Sequence, residues 1–168
     1  AASETSELER TNGKNGVNPA QRILNAPSID LPLVSQIPEE YVADSALRLR
    51  LYRRLADVND NLQVEEVTRE FQERFGLLPE QVENLLYLLR VKLAATRVNA
   101  ATVTLDDGRI MIRFREEDTT RMDRLNRKFG QRVRASRDRM WLAGPEIDEQ
   151  WREHLLEVLG WLAQQANK

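Results

Sequence analysis

The apolar positions follow a helical period through the middle of the chain and then change. Leu47, Leu51, Leu55 and Val58 recur at three- and four-residue spacing, with Leu49 and Tyr52 widening the stripe. This predicts a helix from Ser45 to about Asp57, capped by Asp44 or Ser45. Arg48, Arg50, Arg53 and Arg54 fill most of its other side. Val64, Val67, Phe71 and Phe75 define a second helix over 61–75, with Asp60 and Gln63 at capping-box spacing. Gly76 follows it, where a left-handed residue after a helix favours the absence of a Cβ. Pro79 suits the first turn of a third helix, because its missing N–H would have no partner there. Val82, Leu85, Leu86, Leu89 and Leu93 carry that helix to about Val98. The stretch E-F-Q-E-R-F-G-L-L-P-E, Glu70 to Glu80, is therefore a tight corner between two helices.

Beyond Val98 the period falls to two. Val103 and Leu105 precede Asp107-Gly108, and Ile110, Ile112 and Phe114 follow it, which is a strong hairpin signal. A helix near Thr119–Phe129 turns Met122, Leu125 and Phe129 inward and stops at Gly130. Two short strands follow, about Arg132–Ala135 and Arg139–Leu142. The last helix is expected from near Pro145 to about Gln165, with Ile147, Trp151, Leu155, Val158 and Leu162 facing the core. Trp151 and Trp161 are ten residues apart on it, about 80° apart around the axis, so they do not share one direction. Upstream, Ser28–Tyr41 regains apolar residues, but Pro32 and Pro38 exclude a helix or central strand. That segment reads as extended, with an edge strand over 29–34. Residues 1–27 have no period and carry Gly13, Gly16, Pro19 and Pro27, as a flexible linker does. Residues 28–168 then form one compact domain. The expected class is α+β, helix-rich, with helices packed on a small antiparallel sheet.

Composition narrows the function classes. Hydrophobic residues make up 41% of the 168, enough for a core, and charged residues 31%, with a net charge of only -2. That balance argues against a dedicated nucleic-acid binder and against a disordered acidic tail. With no cysteine there is no disulfide, thiolate zinc site or cysteine nucleophile. No apolar run approaches a membrane span, and no secretory signal opens the chain, so the expected location is cytoplasmic. A chain opening on Ala1 reads as part of something larger. The one histidine, His154, lacks the neighbours that a metal or a triad needs. Neither G-x-x-x-x-G-K-[ST] nor G-x-G-x-x-G is present. The adjacent acids Glu39/Glu40, Glu65/Glu66 and Glu116/Glu117 sit where solvation keeps carboxylates ordinary. The expectation is a non-enzyme with no metal or cofactor of its own.

Two charged surfaces remain. Arg121, Arg124, Arg127, Lys128, Arg132, Arg134, Arg137 and Arg139 are set against only Asp123 and Asp138. They suit either a phosphate-tracking patch or an exposed helix and hairpin edge whose charge blocks sheet association. No aromatic is interleaved among them for base stacking. The second surface is acidic. Glu66, Glu70 and Glu73 share one face of the second helix, away from its apolar stripe. Glu65 can reach Arg69, and Glu70 can reach Arg74, but each such pair contributes only about 0.2–0.5 kcal/mol. Spacing alone does not separate a solvated face from a docking face.

R-L-R-L-Y-R-R-L-A (48–56) followed by E-F-Q-E-R-F-G-L-L-P-E-Q-V-E-N-L-L (70–86) resembles the C-terminal domain of bacterial transcription-repair coupling factors, the Mfd proteins. I-D-L-P-L-V-S-Q-I-P-E-E-Y (29–41) resembles the segment that enters that domain. The resemblance spans about residues 28–165, more loosely beyond Val98. It implies an origin in an ATP-driven DNA translocase that displaces stalled RNA polymerase and recruits UvrA, with ATP and magnesium belonging to the parent's motor. It further implies a regulatory clamp: the domain packs on a UvrB-like N-terminal module of the same protein, covers the UvrA-binding surface and restrains the motor. The family's clamp acids fall here on Glu70 and Glu73, beside Arg74, and helical geometry extends the row to Glu66. Gln72 stands where relatives often carry an aliphatic residue. The other reading open at this point is a nucleic-acid contact module using segment 121–139.

Overall fold

The computed structural model describes residues 26–166; the linker reading for 1–27 lies almost wholly outside them. Five helices and a five-stranded sheet form two connected hydrophobic clusters. Strand β1 (Ser28–Asp30) leads through an extended segment into α1 (Ser45–Ala56), α2 (Asn61–Phe75) and α3 (Glu80–Arg97). Then come β2 (Ala100–Asp106), β3 (Arg109–Phe114), α4 (Thr119–Phe129), a 3-10 turn (Gly130–Arg132), β4 (Val133–Ser136), β5 (Arg139–Ala143) and α5 (Trp151–Gln165). The α+β class matches the expectation.

The helix starts follow from their caps. Asp44 Oδ1 accepts from the N–H groups of Ala46 and Leu47, and Asp60 Oδ1 accepts from Gln63 N–H at 2.8 Å. Gln63 reaches back as a capping box requires, but its Oε1 accepts from Asn59 N–H, one residue outside the cap. Pro79 is the residue before α3 rather than in its first turn. At the corner, Gly76 adopts φ 92°, which a side chain would resist. The hydroxyl of Tyr41 lies 3.0 Å from Phe71 O and 2.9 Å from Gly76 O and donates to this pair of carbonyls. Tyr41 also meets Phe75 edge-on at 5.7 Å, and Phe75 meets Phe71 in the same way. The extended segment thus staples the end of α2.

The first cluster joins α1, α2 and the start of α3 through Leu51, Leu55, Val64, Val67, Phe71 and Val82. The second lies between the sheet and the helices α3, α4 and α5, around Val91, Ile110, Ile112, Phe114, Leu125, Met140 and Leu155. Helix α3 contributes to both. Asn84 is a buried polar residue on it. Its Nδ2 donates to Val34 O, and its Oδ1 accepts from Arg152 Nη1, both at 2.9 Å. One amide therefore ties the extended segment to α5.

The strand order is β1-β2-β3-β5-β4. Every ladder is antiparallel except β1 with β2, so the sheet is mixed rather than wholly antiparallel. Three helices intervene between β1 and β2, which gives the chain the crossover that a parallel pair needs. The edge strand is also shorter than 29–34, because the apolar residues Leu31 and Leu33 pack on the core from irregular backbone. At the β2–β3 turn, Asp107 and Gly108 both have positive φ, as a type I′ hairpin demands. At the far edge, Asn126 of α4 pairs with β4: its Oδ1 accepts from Ala135 N–H at 2.9 Å and its Nδ2 donates to Ala135 O at 2.8 Å.

Three inward assignments fail. Leu49 is 52% exposed and Tyr52 is at the surface, so the α1 stripe is narrower than expected. The Tyr52 hydroxyl instead accepts from Ile37 N–H at 2.7 Å. Ile147 is 74% exposed, because α5 starts at Trp151 and residues 144–149 turn ahead of it. That turn passes so close to the β2–β3 hairpin that a Cβ on Gly144 would lie 2.1 Å from Gly108 O. Trp151 is buried and Trp161 half-buried, as their angular separation requires.

Candidate interaction surfaces

Of the acidic row, Glu66 and Glu70 lie on the α2 flank beside Arg54 of α1. The members of the row are not equivalent. Glu70 is half-buried and ion-paired to Arg54 of α1 and, at 3.0 Å, to Arg74 one turn on. Two guanidinium groups on one carboxylate leave no net negative charge there for a basic partner. Glu66 lies exposed beside a shallow cleft with Arg54, Asp57, Val58, Gln63 and Val67. Glu73 is exposed, next to the corner. Arg74 also stacks over Phe75 at 5.0 Å. Just past Gly76, Leu77 is 92% exposed. Leu77, held out in solvent by a glycine corner that Tyr41 anchors, is the most exposed large apolar side chain among the described residues.

The structure divides the arginine-rich segment. Arg121 is half-buried: its Nη2 donates to Val98 O at 2.7 Å, and it stacks on Phe114 at 4.5 Å. Burial draws its pKa down from the usual arginine value. Arg132 pairs with Glu157 at 2.8 Å and lies over Phe129. The hydrogen bond from Arg132 holds the Glu157 carboxyl below the usual range. Arg124 lines a cleft with Arg97, Asn99, Arg121 and Gln165 at the other end of the core. Arg127 and Lys128 are exposed on α4. Arg134 and Arg139 lie elsewhere, on the sheet.

Alternation shows where those two point. Ile110, Ile112 and Phe114 of β3, Met140 and Leu142 of β5, and Val133 and Ala135 of β4 all belong to the helix-covered core. The residues between them face the other way. Across the sheet, Thr104, Met111, Trp141 and Arg134 form one row, and Thr102, Arg113, Arg139 and Ser136 the next. Arg109 stands at the hairpin end and stacks on Trp141 at 5.6 Å. Neither Met111 nor Trp141 packs on the core cluster. So an aromatic is interleaved with cations after all. Arg109, Arg113, Met111 and Trp141 were missed because both phases of β3 and β5 carry apolar residues, so hydrophobicity alone did not say which phase faced out. The buried positions on the partner strands supply the answer.

Among the described residues no helix is long and apolar enough to cross a membrane. His154 lies 2.5 Å from Asp148 Oδ2, in a pair between the turn and α5.

The comparisons with known proteins agree with one another. The TRCF domain model matches residues 31–125. The transcription-repair-coupling factor of Rickettsia bellii is 41% identical over 88 residues, which is 52% of this chain and 8% of that protein. Its Mycobacterium tuberculosis counterpart is 38% identical over 85 residues, 46% of this chain and 7% of that protein. This chain therefore spans less than a tenth of the length of those relatives. A crystal structure of the C-terminal domain of a transcription-repair coupling factor superimposes with a TM-score of 0.71 at 19% identity, covering 84% of this chain and 93% of the other. That neighbour carries the same α+β architecture. With more than half of its length matched by the family model, this chain belongs to the TRCF domain family and is homologous to the C-terminal domain of transcription-repair coupling factors.

Proposed function

We propose that this chain is a non-catalytic regulatory domain that docks, within its parent protein, on a UvrB-like N-terminal module. Docking masks that module's UvrA-binding surface and restrains the DNA translocase motor. The parent, not this domain, then uses ATP and magnesium, contacts RNA polymerase, UvrA and DNA, and works in the cytoplasm. The observation that carries the docking half is the corner after α2. Leu77 is almost wholly exposed on a stapled turn, with Glu73 and Arg74 one turn back and Glu66 further along the same flank. An apolar knob with a charged rim suits a partner offering a small apolar pocket beside cations.

Glu70 is the less informative residue to change, since reversing it also breaks the pairs with Arg54 and Arg74. The test is the double variant Glu73→Lys/Leu77→Ser in the full-length parent, beside a parent lacking this domain. Both changes should raise UvrA binding and DNA-stimulated ATPase, while the thermal midpoint of the isolated domain stays unchanged. A domain-deleted parent with unaltered UvrA binding and ATPase would overturn the clamp. A double variant that behaves as wild type while the deletion is active would move the docking surface elsewhere.

The nucleic-acid reading of segment 121–139 as one patch has less support. Arg121 and Arg132 are committed to Val98, Phe114, Glu157 and Phe129.

A further inference from the structure

We propose that the helix-free face of the sheet, centred on Trp141, binds single-stranded DNA. Four arginines stand on this face: Arg109 and Arg113 from β3, Arg139 from β5 and Arg134 from β4. Acids at outward positions are Asp30 and Asp106, on β1 and at the end of β2. The face therefore has a polarity, with hydroxyls and carboxylates on the β1–β2 side and cations on the β3–β5–β4 side.

Two features call for an anionic, stacking ligand. Arg113 and Arg139 are direct cross-strand partners. Like charges at that spacing repel and cost stability. Arg139 Nε has a carboxylate partner in Asp138 at 3.6 Å. Arg113 and Arg134 have no ion pair among the described residues. A phosphodiester run over β3, β5 and β4 would relieve this repulsion. Second, Trp141 sits half-buried amid the arginines on the helix-free side of the sheet. An indole with Arg109 stacked on it is a platform on which bases stack without regard to sequence.

Duplex fits less well, because a sheet face presents no helix or two-stranded ribbon to enter a groove. Single strands present both a backbone for the guanidinium groups and free base faces for the indole. Choosing DNA over RNA rests on membership of a repair-factor family. The binding itself rests on the face alone and does not depend on the clamp.

The experiment is fluorescence anisotropy of a labelled oligothymidine of about twenty nucleotides, titrated with the 168-residue chain at several salt concentrations. Wild type should bind, with affinity falling as salt rises. Replacing Arg113 and Arg134 by Ala should lower the slope of log affinity against log salt by about 1.4, at roughly 0.7 per lost phosphate contact. Trp141→Leu should weaken binding about tenfold or more, and Trp141→Phe should restore most of it, since stacking needs a ring. Circular dichroism melts of each variant separate lost binding from lost folding. No binding to oligothymidine at low salt overturns the proposal, as does a Trp141→Leu variant that folds and binds like wild type. Tighter binding to duplex of the same length overturns the single-strand assignment, and tighter binding to oligouridine overturns the choice of DNA.

Discussion

The helical half and the sheet half of this domain reached their structures by different routes. In the α1–α2 half, each helix buries a stripe written in its own sequence, and the caps at Asp44 and Asp60 and the stop at Gly76 are local too. One of its acids, Glu70, is held between Arg54 of the neighbouring helix and Arg74 one turn on. In the sheet half, what a residue does depends on partners far along the chain. Arg113 meets Arg139, Trp141 meets Met111, and Gly144 lies against Gly108. The contrast teaches where surplus chemistry collects. The helical half leaves its exposed side chains scattered, Glu66, Glu73, Leu49 and Leu77 among them, whereas the sheet half gathers four arginines on one face around an indole.

The hardest way to break this comparison is to hollow out one half and ask whether the other survives. Phe71→Ala empties the centre of the helical cluster and should cost about 4 kcal/mol. Because α3 belongs to both clusters, the loss should appear as one shifted transition in urea, followed by both far-ultraviolet circular dichroism and tryptophan fluorescence. Every tryptophan (141, 151 and 161) lies in the sheet half, so two separated transitions would mean that the halves fold independently. A smaller effect is expected at the amide joining them. Asn84→Ala leaves Val34 O and the Arg152 guanidinium without this partner. It should cost about 1–3 kcal/mol and separate the two probes' midpoints, which Phe71→Ala should not. The smallest effect concerns acid. Asp148 accepts from Gln150 N–H and then from His154, and these bonds hold its carboxyl below the usual range. A depressed folded pKa contributes stability that is present above the unfolded value near 3.8 and is lost as pH falls through the folded value. Asp148→Asn should therefore lower stability slightly at neutral pH and flatten the acid limb, so that the variant and wild-type curves converge at low pH. An unaltered acid limb would mean that the turn before α5 contributes nothing there.

How much the sequence disclosed divides along the same line. The stripe at 64, 67, 71 and 75, the corner at Gly76 and Pro79, and the hairpin at Asp107-Gly108 were all legible, because each is set by neighbours a few residues away. The parallel pairing of β1 with β2 was not, since nothing within Ser28–Asp30 names a strand some seventy residues on. Ile147 misled because an apolar residue after Pro145 continues the α5 pattern backwards, yet the close approach of Gly144 to Gly108 keeps the chain turning until Trp151. For the surfaces, helical geometry placed Glu66, Glu70 and Glu73 together but could not show that Arg54 reaches across from α1. The arginines of 121–139 were visible as a cluster in sequence, but folding spreads them over a helix, a cleft and a sheet face.

One last consequence follows from the Asn126 side chain, whose amide meets both backbone groups of Ala135. A side-chain amide has the same donor and acceptor pair as a peptide unit, so it stands in for one residue of a further strand. The outer border of β4 is thereby occupied at its middle, and the opposite border, β1, is only three residues long. Neither margin offers a long free ladder to a neighbour's chain. Growth by strand addition, through swapped segments or fibres, has no convenient place to begin, and the sheet can hold its other face open to solvent without becoming a seed.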